Sequence, residues 1–71
     1  MDPYEKLANA IVLEAVKDYR KALKKLSKYP NNTDALTEKD SCERFFRSKW
    51  YGELTSVDGE MLIRKLQEEV R

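Results

Sequence analysis

The sequence predicts an all-α fold, a small three-helix protein whose long first helix is packed by two shorter ones. Three observations carry that expectation. Only two Gly and two Pro occur in 71 residues, while the strong helix formers Leu, Ala, Glu, Lys and Arg are abundant. Apolar residues recur at the 3.6-residue period of an amphipathic helix. Short segments rich in turn formers separate three such stretches. At this length a single domain, residues 1–71, is expected.

The first helix is expected over about residues 3–28. Pro3 suits a first turn, where its missing N–H costs nothing, and Asp2 is placed to cap it. At about 100° per residue, Tyr4, Ala8, Ile11, Val12, Ala15, Val16, Tyr19, Ala22, Leu23 and Leu26 fall in one arc. Tyr29-Pro30-Asn31-Asn32 ends the helix, because Pro30 disfavours helical backbone at Tyr29.

A second helix is expected over about 34–51, starting at Thr33 or Thr37, the latter with Asp40 as an acidic capping box. Ala35, Cys42, Phe45, Phe46 and Trp50 share its apolar arc, and Asp40, Arg44, Arg47 and Tyr51 share the other. Gly52 falls where a left-handed C-terminal cap is expected. The third helix, about 57–70, has Thr55, Ser56 and Asp58 as candidate caps and Leu62, Ile63, Leu66 and Val70 as its core stripe. Val57 is placed to staple against Leu62 if Asp58 is the cap.

The helix lengths do not match. A 26-residue first helix is about 39 Å long, and the other two are nearer 20–25 Å. Leu7 and Leu13 also lie outside the main apolar arc. Together these features predict a self-association or partner surface on the N-terminal half, and a homo-oligomer is one expectation for so short a chain.

Composition excludes several function classes. The chain has no His and one Cys, so neither an intrachain disulfide nor a usual zinc site is expected. It shows no Gly-rich phosphate loop and no Cys–His or Ser–His pair. Acid pairs such as Glu68-Glu69 have nothing to bury them, and three thin helices rarely form a pocket that shifts a pKa. The expectation is a non-enzyme with no cofactor, no metal and no catalytic residues. The apolar stretches are far shorter than the roughly 20 residues that span a bilayer. No signal-peptide pattern is read at the start, so a cytoplasmic protein without membrane contact is expected.

Charge is more informative by position than in total. The formal net charge is +1, yet residues 17–28 carry +5 between two segments of −2. Lys17, Arg20, Lys21, Lys24, Lys25 and Lys28 form a stripe about 16 Å long, opposite the apolar arc. Such a stripe suits an acidic protein groove or nucleic-acid phosphates; equally, it is the solvated face of a helix with cations at its C-terminus. Arg44, Arg47 and Tyr51 form a second candidate partner surface, since Arg and Tyr are enriched in interface hot spots. Asp40–Arg44 and Glu43–Arg47 are also ordinary i,i+4 pairs. A standard helix-turn-helix docking is disfavoured, because the third helix would lead with Asp58 and Glu60 towards phosphates. Cys42 lies on the apolar arc and reads as a buried thiol.

At Ala10-Ile11-Val12-Leu13-Glu14-Ala15-Val16-Lys17-Asp18-Tyr19-Arg20, and again at Glu43-Arg44-Phe45-Phe46-Arg47-Ser48-Lys49-Trp50 followed by Leu54-Thr55 and Val57-Asp58-Gly59-Glu60, the chain resembles small helical proteins of Firmicutes phages and integrated mobile elements. The resemblance covers most of the chain and transfers no particular residues. It implies a stoichiometric, protein-directed regulator, such as a recombination directionality factor acting on a recombinase or an anti-defence protein blocking a host complex. The functional expectation is therefore a regulatory protein that binds another protein, with a nucleic-acid-handling complex as one target class. The alternative is a small DNA-binding accessory protein using the basic face of the first helix.

Overall fold

A computed structural model describes residues 3–70, with side chains of the first helix from Lys6 onward. It is all-helical, with four helices in the order α1 (Pro3–Lys28), α2 (Thr33–Phe46), α3 (Lys49–Leu54) and α4 (Gly59–Glu69). The expected caps and arc positions at Asp2 and Tyr4 lie outside the described residues and side chains. The molecule measures 42 × 19 × 19 Å, and α1 alone accounts for the long axis at about 1.5 Å per residue.

Local chemistry explains each boundary. α1 closes with the Tyr29 N–H donating to the Lys25 carbonyl at 2.8 Å, just before Pro30. The cap of α2 is Asn32, neither Thr33 nor Thr37. Its side-chain oxygen accepts from the Ala35 N–H at 2.9 Å, and Asn is among the best residues for that role. Thr37 lies inside the helix and donates to the Thr33 carbonyl at 2.9 Å. At the last cap Asp58 accepts from the N–H groups of Glu60 and Met61. Val57 remains 49% exposed.

The second expected helix is two helices. Ser48 breaks it: its hydroxyl donates to the Phe45 carbonyl at 2.6 Å and accepts from the Tyr51 N–H at 3.1 Å. Serine competes in this way with the helical ladder and then caps the next helix. The break reorients the two aromatic residues beyond it. Trp50, expected on the apolar arc, is 53% exposed, and Tyr51, expected on the surface, is 3% exposed. Gly52 is not a left-handed cap, for no described glycine has positive φ; it lies inside α3, which ends at Thr55 in extended backbone.

The core forms where the four helices meet. Tyr19, Phe46 and Leu66 are its most buried large side chains, joined by Val16, Leu23, Cys42, Tyr51 and Ile63. Ala22 and Ala35, both 4% exposed, let α1 and α2 approach closely. Tyr19, Phe46 and Tyr51 pack edge to face around Phe46, with centroids 5.6 and 5.8 Å apart. Each such pair contributes about 0.5–1.5 kcal/mol beyond its buried area. α4 begins against the end of α2, where Gly59 lies on the Phe46 carbonyl, and returns along α1 to place Glu69 beside Arg20.

Candidate functional site

The cations of the two expected partner surfaces divide into two populations. Arg20 is tied down by Glu69 in a two-pronged contact, Nε to one carboxylate oxygen at 2.8 Å and an Nη to the other at 3.0 Å. That contact, through the hydrogen bond first and the charge second, holds the Glu69 carboxyl below its ordinary range. Arg44 pairs with Asp40 at 3.1 Å. Arg47 bridges Glu43 at 3.6 Å and the Glu60 carboxylate of α4. These arginines act within the fold as α1–α4, intrahelical and α2–α4 links. Tyr51, the third member of the expected second surface, is withdrawn altogether, because the Ser48 break turns its ring into the core. The Arg44–Arg47–Tyr51 surface is therefore not assembled.

The remaining five members of the basic stripe are otherwise placed. Lys17, Lys21, Lys24, Lys25 and Lys28 are all exposed, and no carboxylate of the described residues lies within ion-pairing distance of them. They project from the C-terminal half of α1, whose opposite face is held by Val16, Tyr19, Ala22 and Leu23 in the core. Carboxylates border the stripe on both flanks. Glu69 adjoins Arg20 and Lys24 on one side, and Asp34 and Glu38 of α2 adjoin Lys21 and Lys25 on the other. The arrangement can hold an anionic ridge along α1, narrow enough to avoid both flanks.

A second exposed region occupies the other end of α1. Leu7 and Leu13 are 59% and 64% exposed, as their position outside the apolar arc predicts. Beside them Ile11, Glu14, Ala15 and Asp18 of α1 form a shallow groove with Phe45 and Trp50.

Sequence reasoning missed the polar knot beneath these surfaces. The Tyr19 hydroxyl donates to Glu43 at 2.7 Å and accepts from the Gln67 amide at 3.1 Å, and Lys39 donates to the same Glu43 oxygen at 2.7 Å. Burial pushes the Glu43 carboxyl up, but Lys39, Tyr19 and Arg47 together outweigh it and hold the group below its ordinary range. The signal available was Tyr19 itself, since a tyrosine on a buried arc needs a partner for its hydroxyl. Cys42 is buried as expected, and desolvation, reinforced by Glu38, Asp18 and Glu43, pushes its thiol up to about 11. It therefore lacks the thiolate character that nucleophilic chemistry requires. Among the described residues no cluster of three or more His, Cys, Asp or Glu is placed to hold a metal ion. No described helix is long and apolar enough to cross a membrane.

Fold and surfaces together describe a small all-helical protein with a strip of unpaired lysines on its longest helix. No family model matches the chain, and no curated protein or solved structure matches it either.

Proposed function

We propose that this is a non-enzymatic interaction protein that binds an acidic surface of another protein through Lys17, Lys21, Lys24, Lys25 and Lys28, and so modulates its partner. The observation that carries the reading is the division of cations. Arg20, Arg44 and Arg47 are ion-paired within the fold, while Lys17, Lys21, Lys24, Lys25 and Lys28 of α1 are exposed and left without carboxylate partners among the described residues. Solubility does not require so many like charges on one helical face. Bordering carboxylates favour a protein partner over duplex DNA. A duplex spreads its phosphates across a broad face and would bring some of them against Glu69, Asp34 or Glu38, at a repulsive cost.

The resemblance to phage and mobile-element proteins gives this reading its target class: a recombinase or a host defence complex in the cytoplasm, inhibited or redirected by stoichiometric occupancy. The second reading, a DNA-binding accessory protein, draws on the same five lysines.

One comparison tests both. The purified chain and its Lys21→Glu/Lys24→Glu variant are used as bait in nuclease-treated host lysate, and both are tested for mobility shifts of duplex DNA at two salt concentrations. A stoichiometric protein captured by the wild type, lost by the variant and indifferent to nuclease supports the protein reading. A DNA shift that weakens steeply with salt and disappears in the variant replaces it with the DNA reading. Capture unchanged by the variant removes the lysines from the account.

A further inference from the structure

We infer that the N-terminal half of α1 is the contact of an antiparallel homodimer, with Ala10 of one copy against Ala10 of the other on a twofold axis. The inference rests on residues 6–14 and uses none of the five lysines as evidence.

The first support is apolarity in every direction. From Leu7 to Leu13 the chain reads Leu-Ala-Asn-Ala-Ile-Val-Leu, so only Asn9 is polar and the apolar residues point all round the helix. Helical segments of this kind are buried in the structures that contain them. Here Val12 packs against the core, while Leu7 and Leu13 stand open to solvent. The exposed pair lies on the side of α1 turned away from Val12, Val16 and Tyr19, so a second copy can approach without meeting α2 or α4.

The second support identifies the occupant. Leu7 and Leu13 lie three residues either side of Ala10, and Lys6 and Glu14 lie four either side, all five exposed. Two such helices crossing antiparallel at Ala10 place each Leu7 against the other copy's Leu13 and each Lys6 against the other copy's Glu14. Every contact occurs twice, as a twofold interface requires. A parallel pair would instead set Lys6 against Lys6 and Glu14 against Glu14. Ala10 has no bulk to hold the backbones apart at the crossing. Lys17 lies opposite the first turn of the partner helix at the edge of the contact, while Lys21, Lys24, Lys25 and Lys28 lie beyond its end and stay open.

The contact is a single helix pair, at the small end of specific interfaces, so the equilibrium is sought from micromolar concentration upward. Sedimentation equilibrium on the purified full chain should show the mass rising from 8.4 kDa to twice that value as concentration increases. Lys6→Glu should weaken dimerisation about tenfold, since symmetry replaces two attractive contacts by two repulsive ones. Glu14→Lys should do the same, and the double variant should recover wild-type affinity. Both side chains are exposed, and circular dichroism of each variant verifies unchanged helix content. A chain that stays monomeric at all concentrations overturns the inference, as do single swaps without effect or a double variant as weak as the singles. No partner protein enters the experiment, so its failure leaves the lysine reading untouched.

Discussion

Tyr19 and Glu43 are joined across α1 and α2 by a 2.7 Å hydrogen bond, with the tyrosine ring fully buried and its hydroxyl donating to the carboxylate. Gln67 of α4 donates to the same hydroxyl at 3.1 Å, so one oxygen ties three helices together. Lys39 and Arg47 hold the same carboxylate from the α2 side, so this bond fixes the position of α1 against α2 and α4.

Tyr19→Phe keeps the ring and its packing on Phe46 and removes only the hydroxyl. Glu43 retains Lys39 and Arg47, so no charge is stranded. The expected loss is about 1.5–3 kcal/mol, the range for a hydrogen bond to a charged group. In a domain of this size that lowers Tm by about 4–8 °C per kcal/mol. Thermal unfolding followed by circular dichroism reads it, and an unchanged Tm would show that the bond contributes nothing net.

The lowered Glu43 carboxyl implies a pH dependence of definite sign. Its folded-state pKa lies below its unfolded-state value, so its contribution is fully present above the unfolded value. That contribution is lost as pH falls through the folded one. Glu69, held down by Arg20 at the surface, acts in the same direction, more weakly and with strong salt screening. Urea midpoints measured from neutral pH down to about pH 3 should therefore fall on the acid side of the carboxylate range. Glu43→Gln should flatten that acid limb.

The two glycines should respond oppositely to alanine. A Cβ at Gly59 would overlap the Phe46 carbonyl oxygen, a backbone atom that cannot swing aside, and would also press on the Tyr51 ring. Gly59→Ala should destabilise by about 2–3 kcal/mol, towards the upper end of overpacking costs. At Gly52 nothing lies within 4 Å and the residue is inside α3. Gly52→Ala should stabilise by about 0.5–1 kcal/mol through helix propensity alone. Chemical denaturation of the pair decides both, and equal effects would contradict the packing described.

Tyr51 carries a buried hydroxyl with no hydrogen-bond partner, next to Gly59 at the α3–α4 junction. Leaving such a group unpaired costs about 1–3 kcal/mol. Tyr51→Phe should therefore be neutral or stabilising, in contrast to Tyr19→Phe. A clear drop in Tm for Tyr51→Phe would reveal a partner for the hydroxyl.

Much of this architecture is legible in the sequence because helical periodicity is strong where burial is one-sided. The bounds of α1, the core positions Val16, Tyr19, Leu23, Phe46, Ile63 and Leu66 and the burial of Cys42 follow from spacing, while capping chemistry narrows the last cap to Thr55, Ser56 or Asp58, of which the structure uses Asp58. The failures share one cause. Ser48 ends a helix by a local hydroxyl-to-carbonyl bond that periodicity does not register, and everything read by extending α2 through it, Trp50 inward and Tyr51 outward, is inverted. The lysine stripe is legible as a stripe. That Arg20 would be spent on Glu69 is not, because the two lie 49 residues apart and only the return of α4 along α1 brings them together.

α1 runs past the end of α2, so one unbroken helix carries backbone amides of two kinds. Around Val16 to Leu23 an amide opens to solvent only when the bundle itself opens. From Leu7 to Leu13 local fraying suffices, because few tertiary contacts oppose it. Hydrogen–deuterium exchange of the dilute chain should fall along this single helix as a steep gradient. If the proposed antiparallel dimer forms, the same N-terminal amides should slow in concentrated solution while those of the bundle hardly change, since the contact would cover only the frayed end. The overhang would then couple the number of molecules present to the order of a local segment.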